Sequence, residues 1–221
     1  MNIRNTTDIP LFQNMSRQDI EAALQCVGAF VKDYKKDEFI FLEKDKMNCA
    51  GCVLEGSVQM IREDIWGNKT LLINIKETEL FGETFACGSS GTTAVSFIAK
   101  EDTKVLFLPF CRVVHACSNA CVYHQKLLQN LVAVMAEKNA LLISKIDILS
   151  KKTLREKIVA YLLSEAANHN SKYFTVSMGR VQLAEYLNAD RSALTRELNQ
   201  MKEEGCIDFE RNTFRILKQF E

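Results

Sequence analysis

The sequence DRSALTRELNQMKEEG, residues 190–205, predicts a short helix with an unusual exposed side. Four of its early residues share one face of that helix, because they fall at positions i, i+1, i+4 and i+5. We call these four residues the basic face: Arg191, Ser192, Thr195 and Arg196. The apolar residues of the segment fall elsewhere and are left to pack against the rest of the chain. Two arginines beside two small hydroxyls on an exposed face need a reason other than packing.

The neighbouring segments supply that reason. Another short helix is predicted at 179–187; it is the first helix of a pair in which the segment above is the second, and a three-residue turn that ends in Asp190 joins the two. Asp190 is placed to cap the second helix. Residues 206–218 predict a two-stranded hairpin that turns at Arg211-Asn212. Two helices, a short turn and a hairpin are the pattern of a winged helix-turn-helix, whose second helix enters the major groove of DNA by its N-terminal end.

The basic face is therefore predicted to contact DNA bases. Arginine can bond guanine in a bidentate way, and small hydroxyls allow close approach to base edges. Arg180, at the start of the first helix, is predicted to contact a phosphate. One alternative is a solvated helix face whose arginines pair with Glu197 or Asp190. Another is a winged helix that contacts a protein instead of DNA.

The N-terminal half predicts a helix and then a series of short strands. Ser16 can cap the helix, with Asp19 three residues later. From about Phe30 the apolar period is two, and turns that contain Gly separate several of the segments. Such a series indicates an antiparallel sandwich or barrel. The predicted strands cover residues 39–43, 52–63, 69–75, 93–99 and 104–109.

A long helix is predicted over roughly 117–149, where the chain has no Gly or Pro. Its seam residues step by four and three over about three heptads, which is the pattern of a parallel two-helix dimer. The alternative is a helix packed on its own domain. Thr153 and Glu156 then form a capping box that starts another helix. The predicted dimer interface consists of Leu128, Val132, Met135, Asn139, Leu142, Ile146 and Leu149.

The chain resembles the Crp/Fnr family of transcription regulators over nearly its whole length. The resemblance implies an α+β fold with an N-terminal cyclic-nucleotide-binding-type β-barrel of jelly-roll type (1–116), a dimerisation helix (117–149) and a winged helix-turn-helix (150–221). It also implies a homodimer on two-fold-related DNA half-sites and contact with RNA polymerase. Ser192 stands where many relatives have Glu, so its preferred bases need not be theirs. The matching segments are PLF at 10–12, FIFLEKD at 39–45, LEGSV at 54–58, LFGE at 80–83, REKIVAYL at 155–162 and RVQLAEYLNADRSALTRELNQMKEEGCI at 180–207.

The effector is not evident from the sequence. Family members that bind cyclic nucleotides carry Gly-Glu and, about ten residues later, Arg-Ser or Arg-Thr. Gly82 and Glu83 match the first pair, but Thr92 and Thr93 stand at the second, where they can donate hydrogen bonds to a ligand but carry no charge. These four residues are the candidate effector-binding residues. Burial of a cyclic phosphate without a paired cation is costly, so we expect that cyclic AMP is not the effector. Another small molecule, a redox signal or no effector at all remain open.

Eight cysteines offer a rival trigger, because a cluster of them in a reduced compartment points to metal or redox chemistry. Cys117, Cys121 and His124 share one helical face and, with Cys111, are weak candidates for a metal, haem or redox site. The alternative is that they are small buried side chains. The CxxC at 49–52 enters a strand, where positions i and i+3 face opposite sides.

The bulk composition excludes little. The chain has 221 residues, 25 % of them charged, and a formal net charge of zero, so any DNA contact depends on placed charges. No apolar run approaches the roughly 18 residues of a membrane span, and the first residues lack a signal-peptide core. We therefore expect a cytoplasmic protein without membrane contact. Common catalytic motifs do not occur, so an enzyme is not expected.

Overall fold

The computed structural model forms two compact units, Met1–Ala136 and Glu137–Glu221. The boundary between them falls inside the long helix. The three-part division predicted from the sequence is a different partition and stays a prediction. The structure describes residues 9–64, 66–67, 69–88, 91–114 and 122–218.

The described part of the first unit contains two four-stranded antiparallel sheets. Its strands are β1 (Phe30–Tyr34), β2 (Phe39–Phe41), β3 (Cys49–Glu55), β4 (Val58–Glu63), β5 (Lys69–Ile75), β6 (Leu80–Phe81), β7 (Ser96–Ala99) and β8 (Thr103–Pro109). One sheet has the order β1-β8-β3-β6 and the other the order β2-β7-β4-β5. The sheets share an apolar core, so the predicted jelly-roll-like fold is confirmed, although the barrel is not closed.

Aromatic rings fill the space between the two sheets. Phe97 is fully buried, and its ring contacts those of Phe41, Phe81 and Phe85 at centroid distances of 5.1 to 6.5 Å. Gly51 lies against the Phe81 ring, and a Cβ at this position would collide with it. The space between the two sheets is therefore occupied by aromatic side chains of the chain itself.

Three helices of the first unit share one apolar cluster with residues of β3, β6 and β8: α1 (Arg17–Val27), α3 (Phe110–Val114) and the start of α4 (Val122–Ser150). Helix α2 (Glu83–Ala86) follows β6, and its Phe85 packs against the core between the two sheets. Ser16 and Asp19 form the capping box predicted for α1. Leu127 and Leu131 of α4 are buried in one core cluster with the apolar side of α1. The long helix is thus present, but the predicted start at residue 117 lies outside the described residues.

The second unit is a winged helix-turn-helix, as predicted. The end of α4 is followed by α5 (Leu154–Asn168), β9 (Tyr173–Thr175), α6 (Arg180–Tyr186), α7 (Arg191–Glu203), β10 (Ile207–Glu210) and β11 (Thr213–Ile216). Thr153 and Glu156 form the predicted capping box. Strands β10 and β11 pair on either side of the predicted turn. The leucines of α6 and α7, among them Leu183, Leu194 and Leu198, form the core of this unit.

Strand β9 was not predicted from the sequence. It pairs with β11 to complete a three-stranded sheet of order β10-β11-β9. Its middle residue, Phe174, is buried, while its neighbours Tyr173 and Thr175 are exposed. A strand of three residues shows too little alternation to be recognised beside a polar segment.

In the part of the chain that the structure describes, no helix combines the length and the apolar character that crossing a bilayer requires.

Candidate nucleic-acid interface

The N-terminus of α7 is fixed by Asp190. The Oδ1 atom of Asp190 accepts hydrogen bonds from the backbone N–H groups of Ser192, at 2.8 Å, and Ala193, at 3.0 Å, as predicted for a cap. The Ser192 hydroxyl donates to the same oxygen. These hydrogen bonds, with that hydroxyl first, hold the pKa of the Asp190 carboxyl below its usual value. The first turn of α7, which carries the basic face, therefore has a defined geometry.

All four residues of the basic face are exposed, and the structure brings them together. Leu194 and Leu198 of the same helix are fully buried on the opposite side of α7. The Thr195 hydroxyl donates to the Arg191 carbonyl at 2.9 Å, and Arg196 Nε donates to the Ser192 carbonyl at 3.4 Å. The polar groups thus bond to the backbone of their own helix.

The arginines of the basic face have no ion-pair partner within the described residues, although the charge of Arg196 adds to the lowering of the Asp190 pKa. Neither forms an ion pair there with a carboxylate, and Glu197, a partner in the alternative reading, binds Arg155 instead. The guanidinium groups of Arg191 and Arg196 can therefore meet an external anion or a guanine edge.

Arg155 of α5 anchors α7 from below. Its Nε donates to Glu197 Oε1 at 2.6 Å, and its two terminal nitrogens donate to Glu204 at 2.7 and 2.9 Å. We call this arrangement the Arg155 fork. The two-pronged bond to Glu204 raises the pKa of Arg155, and the same bond lowers the pKa of Glu204. The fork ties Glu197 of α7 and the C-cap residue Glu204 to α5. It was not predicted from the sequence.

The C-terminal end of α7 is bound to the hairpin, or wing. Lys218 Nζ donates to the Glu204 carbonyl at 2.8 Å. Lys202 Nζ lies 2.6 Å from Asp208 Oδ1 and also donates to the Phe209 carbonyl at 3.1 Å. The Lys202 bond lowers the pKa of Asp208. Helix and wing are thereby held as one surface.

Arg180 lies between the first helix of the pair and the wing. Its Nη2 donates to the Arg211 carbonyl at 2.6 Å, and its guanidinium stacks on the rings of Phe209 and Phe214 at 4.9 and 5.0 Å. Its Nη1 is buried and has no hydrogen-bond partner among the described residues. Burial lowers the pKa of Arg180. This residue positions the wing turn, and its predicted phosphate contact stays a prediction.

The four predicted effector residues lie around one short segment of chain. Gly82 has φ +75°, and a Cβ there would collide with Met47. Lys46, which precedes Met47 in the chain, forms an isolated backbone β-bridge with Thr92, and the Lys46 side chain is exposed. Glu83 is buried.

The Thr93 hydroxyl is engaged within its own loop. It donates to the Val95 carbonyl at 2.7 Å and accepts from the Val95 N–H at 3.2 Å. The residue is 2 % exposed. The Thr93 hydroxyl, a candidate hydrogen-bond donor to a ligand, is therefore already bonded within the fold.

The candidate metal residues are not brought together in the described part of the chain. Cys117 and Cys121 lie outside the described residues. His124 is buried and contacts the thiol of Cys26 and the Val113 carbonyl. Within the described ranges, no three His, Cys, Asp or Glu side chains form a group suited to a metal ion. The pair of Cys26 and His124 was missed because no sequence spacing links residues in two different helices.

The substitution Glu204→Gln is expected to destabilise the second unit at about pH 7 and to destabilise it less at about pH 3. The pKa of Glu204 is below its ordinary value of 4.5, so its contribution is fully present above that value and is lost as the pH falls through the lowered pKa. Urea unfolding of wild type and variant at both pH values measures the difference. Glu203→Gln, one residue earlier, is the matched control and should unfold like wild type. An equal loss at both pH values would contradict the assignment.

Two family descriptions match the chain. Residues 31–118 match the cyclic nucleotide-binding domain, and residues 156–219 match the Crp-like helix-turn-helix domain. The cyclic AMP receptor protein of Thermus thermophilus is 24 % identical over 201 residues, which are 90 % of this chain and 88 % of that protein. The transcriptional activator protein anr of Pseudomonas aeruginosa is 23 % identical over 192 residues, 85 % and 76 % of the two chains.

A solved structure shows the same fold. The crystal structure of the Thermus thermophilus catabolite activator protein aligns with a TM-score of 0.54 at 23 % identity, over 94 % of this chain and 93 % of that one. The two domain matches stand in the same order as the two units described above and together span most of the chain. The chain belongs to the Crp/Fnr family of DNA-binding transcription regulators.

Proposed function

We propose that this regulator acts as a homodimer that reads two-fold-related DNA half-sites with the basic face of each α7. The observation that carries the proposal is an exposed, cationic N-terminal turn without an ion-pair partner in the described residues, on a helix held by the Asp190 cap and the Arg155 fork. An arginine at the tip of such a helix can bond guanine O6 and N7 in the major groove, and the helix N-terminus favours nearby phosphates.

The wing adds contacts to the DNA backbone that do not depend on the base sequence. Arg211 lies at its turn, and the Arg180 guanidinium holds the Arg211 carbonyl in place. Backbone contacts of this kind fix the register of a protein on the duplex. Arg180 thus supports DNA binding by positioning the wing, in addition to the phosphate contact predicted for it.

The dimer is supported by an apolar stripe on α4. Val132, Leu142 and Ile146 are 59 %, 54 % and 66 % exposed, and Asn139 is exposed between them. Leu128, Met135 and Leu149 of the predicted interface are partly buried. Exposed large apolar side chains at heptad spacing cost free energy in water, and a second copy of the same helix covers them. Asn139 would then fix the register of the two helices.

The sandwich is the sensor, and we propose that its effector is not cyclic AMP. A family member named for cyclic AMP is similar to this chain, but here a buried cyclic phosphate would meet Thr92 and the already bonded Thr93. The rings around Phe97 also occupy the interior. A change of the protein between a DNA-binding and a non-binding state then requires an effector other than cyclic AMP that binds one of the two states more tightly, or a redox change.

The remaining features of the proposal follow from the regulator class. The protein is cytoplasmic, contacts RNA polymerase when bound at a promoter and is not an enzyme. The relatives named above are described as a receptor protein and a transcriptional activator.

Arg196→Ala is expected to weaken binding to the preferred DNA site by about 1–3 kcal/mol and to relax the preference at one base position, because a bidentate base contact is lost. The preferred site is first selected from a random duplex pool, and affinities are then measured by fluorescence anisotropy. Arg62→Ala removes an exposed arginine from the other unit and is the matched control.

Arg180→Ala should weaken binding to all DNA sequences alike and reduce the slope of log K against log salt concentration by about one. Unchanged affinity in both Arg196→Ala and Arg180→Ala would favour a protein-binding module instead.

Ile146→Glu is expected to convert a dimer into monomers at micromolar concentration, because it places a charge in the apolar stripe. Sedimentation velocity measures the change. Ala133→Glu puts the same charge at an exposed position of α4 outside the stripe and should leave the dimer intact. A wild-type chain that sediments as a stable monomer would contradict the proposed dimer.

Titration calorimetry with cyclic AMP is expected to show no saturable binding at micromolar affinity. The physical reason is the missing cation at Thr92, since a buried phosphate charge needs a paired partner. The same titration with cyclic GMP serves as a second test of the phosphate argument. Saturation by either nucleotide in the micromolar range would overturn it.

A further inference from the structure

A thiol and an imidazole meet at the junction of α1 and α4, outside the DNA-binding surface. Cys26 lies in the last turn of α1, and its Sγ is 3.7 Å from Nδ1 of His124, in the first turn of α4. His124 is 5 % exposed, whereas Cys26 is exposed. Cys26 is thus an exposed residue, while the base beside it is buried.

The other nitrogen of the ring defines which tautomer His124 adopts. Its Nε2 lies 2.7 Å from the carbonyl oxygen of Val113, which can only accept a hydrogen bond. Nε2 therefore carries the proton and donates, and Nδ1 presents its lone pair to the thiol of Cys26. This is the arrangement in which an imidazole withdraws a thiol proton: a base in contact with the nucleophile, oriented by a third group.

A second cation lies close to the same helix end. The guanidinium of Arg112, from α3, stands over Gly28, the C-cap residue of α1, so closely that a Cβ at Gly28 would collide with it. The C-terminus of a helix disfavours a thiolate, and a cation at that end offsets this effect. Among the described residues, His124 contacts the Cys26 thiol and Arg112 contacts Gly28 at the same end of α1. On α1 itself, Glu21 is paired with Arg17 one turn further towards the N-terminus.

We propose that Cys26 is a reactive thiol that takes up a low-molecular-weight disulfide, with His124 as its base. The Cys26 proton passes to Nδ1, and the thiolate attacks one sulfur of the disulfide. A bond forms between Cys26 Sγ and that sulfur, the original S–S bond breaks, and the other half leaves as a thiolate that recovers the proton from His124. Cys26 is oxidised and the leaving sulfur is reduced, so atoms and electrons balance.

The adduct has a structural consequence within the first unit. It removes the Sγ–Nδ1 contact that joins α1 to the start of α4 and adds bulk beside a buried ring. Leu127, one turn along α4, is fully buried in the core cluster that α1 completes. The modification therefore acts on the packing of α1 against α4. It concerns the chemistry of Cys26 and holds whether or not the proposed DNA readout is correct.

The test is the rate of modification of each cysteine in the full-length reduced protein by glutathione disulfide, measured by peptide mass spectrometry from pH 6 to pH 8. Cys87 is the matched internal control, because it is exposed in the same unit but donates its thiol hydrogen to the Thr84 carbonyl. The rate at an ordinary thiol falls about 100-fold from pH 8 to pH 6. Cys26 is expected to lose less than about tenfold over that range, because a thiolate paired with an imidazolium persists at the lower pH. A Cys26 profile that matches that of Cys87 overturns the proposal.

The variant His124→Gln separates the imidazole from mere exposure. Gln can still donate to the Val113 carbonyl but cannot take the thiol proton. The Cys26 profile is then expected to become that of Cys87, which itself should not change. Retention of the wild-type profile in His124→Gln also overturns the proposal. If this variant does not fold, the wild-type comparison of the two cysteines decides.

Discussion

The Arg155 fork is the interaction on which the DNA-binding unit depends. α7 has 13 residues, a length at which an isolated helix is only marginally stable in water. The DNA readout proposed for α7 requires an accurate position, since a bidentate base contact tolerates little displacement. The buried leucines bind one side of α7, Asp190 fixes its start, and the fork ties Glu197 and Glu204 to α5. The carboxylates of Glu197 and Glu204 are thus bonded to Arg155, and the arginines of the basic face remain available to an external partner.

The placement of these charges explains how a chain with zero net charge can bind a polyanion. Glu197 of α7 and its C-cap residue Glu204 pair with Arg155, and Asp208 of β10 pairs with Lys202 of α7. Arg191 and Arg196 stand on the other side without such partners in the described part of the chain. A local field of this kind depends on where the charges lie and not on their sum.

Local signals made most of the fold predictable. The caps at Ser16, Thr153 and Asp190 each join residues two or three positions apart, and all were predicted. The features that were missed join distant residues. The Arg155 fork spans 42 and 49 positions, and the contact of Cys26 with His124 spans 98. Contacts of this range leave no periodic trace in a sequence, because their spacing is set by packing of whole elements. The basic face was predictable as a surface, but the role of Arg180 in holding the wing was not.

The measurement that tests the central claim most directly is hydroxyl-radical footprinting of the complex on a duplex selected from a random pool. A pair of α7 helices, one from each subunit, should protect two patches of backbone related by two-fold symmetry. The centres of the two half-sites should lie about one helical turn, or about 10 base pairs, apart. A single protected patch without symmetry, or no protection of any duplex in low-salt buffer, would contradict the account.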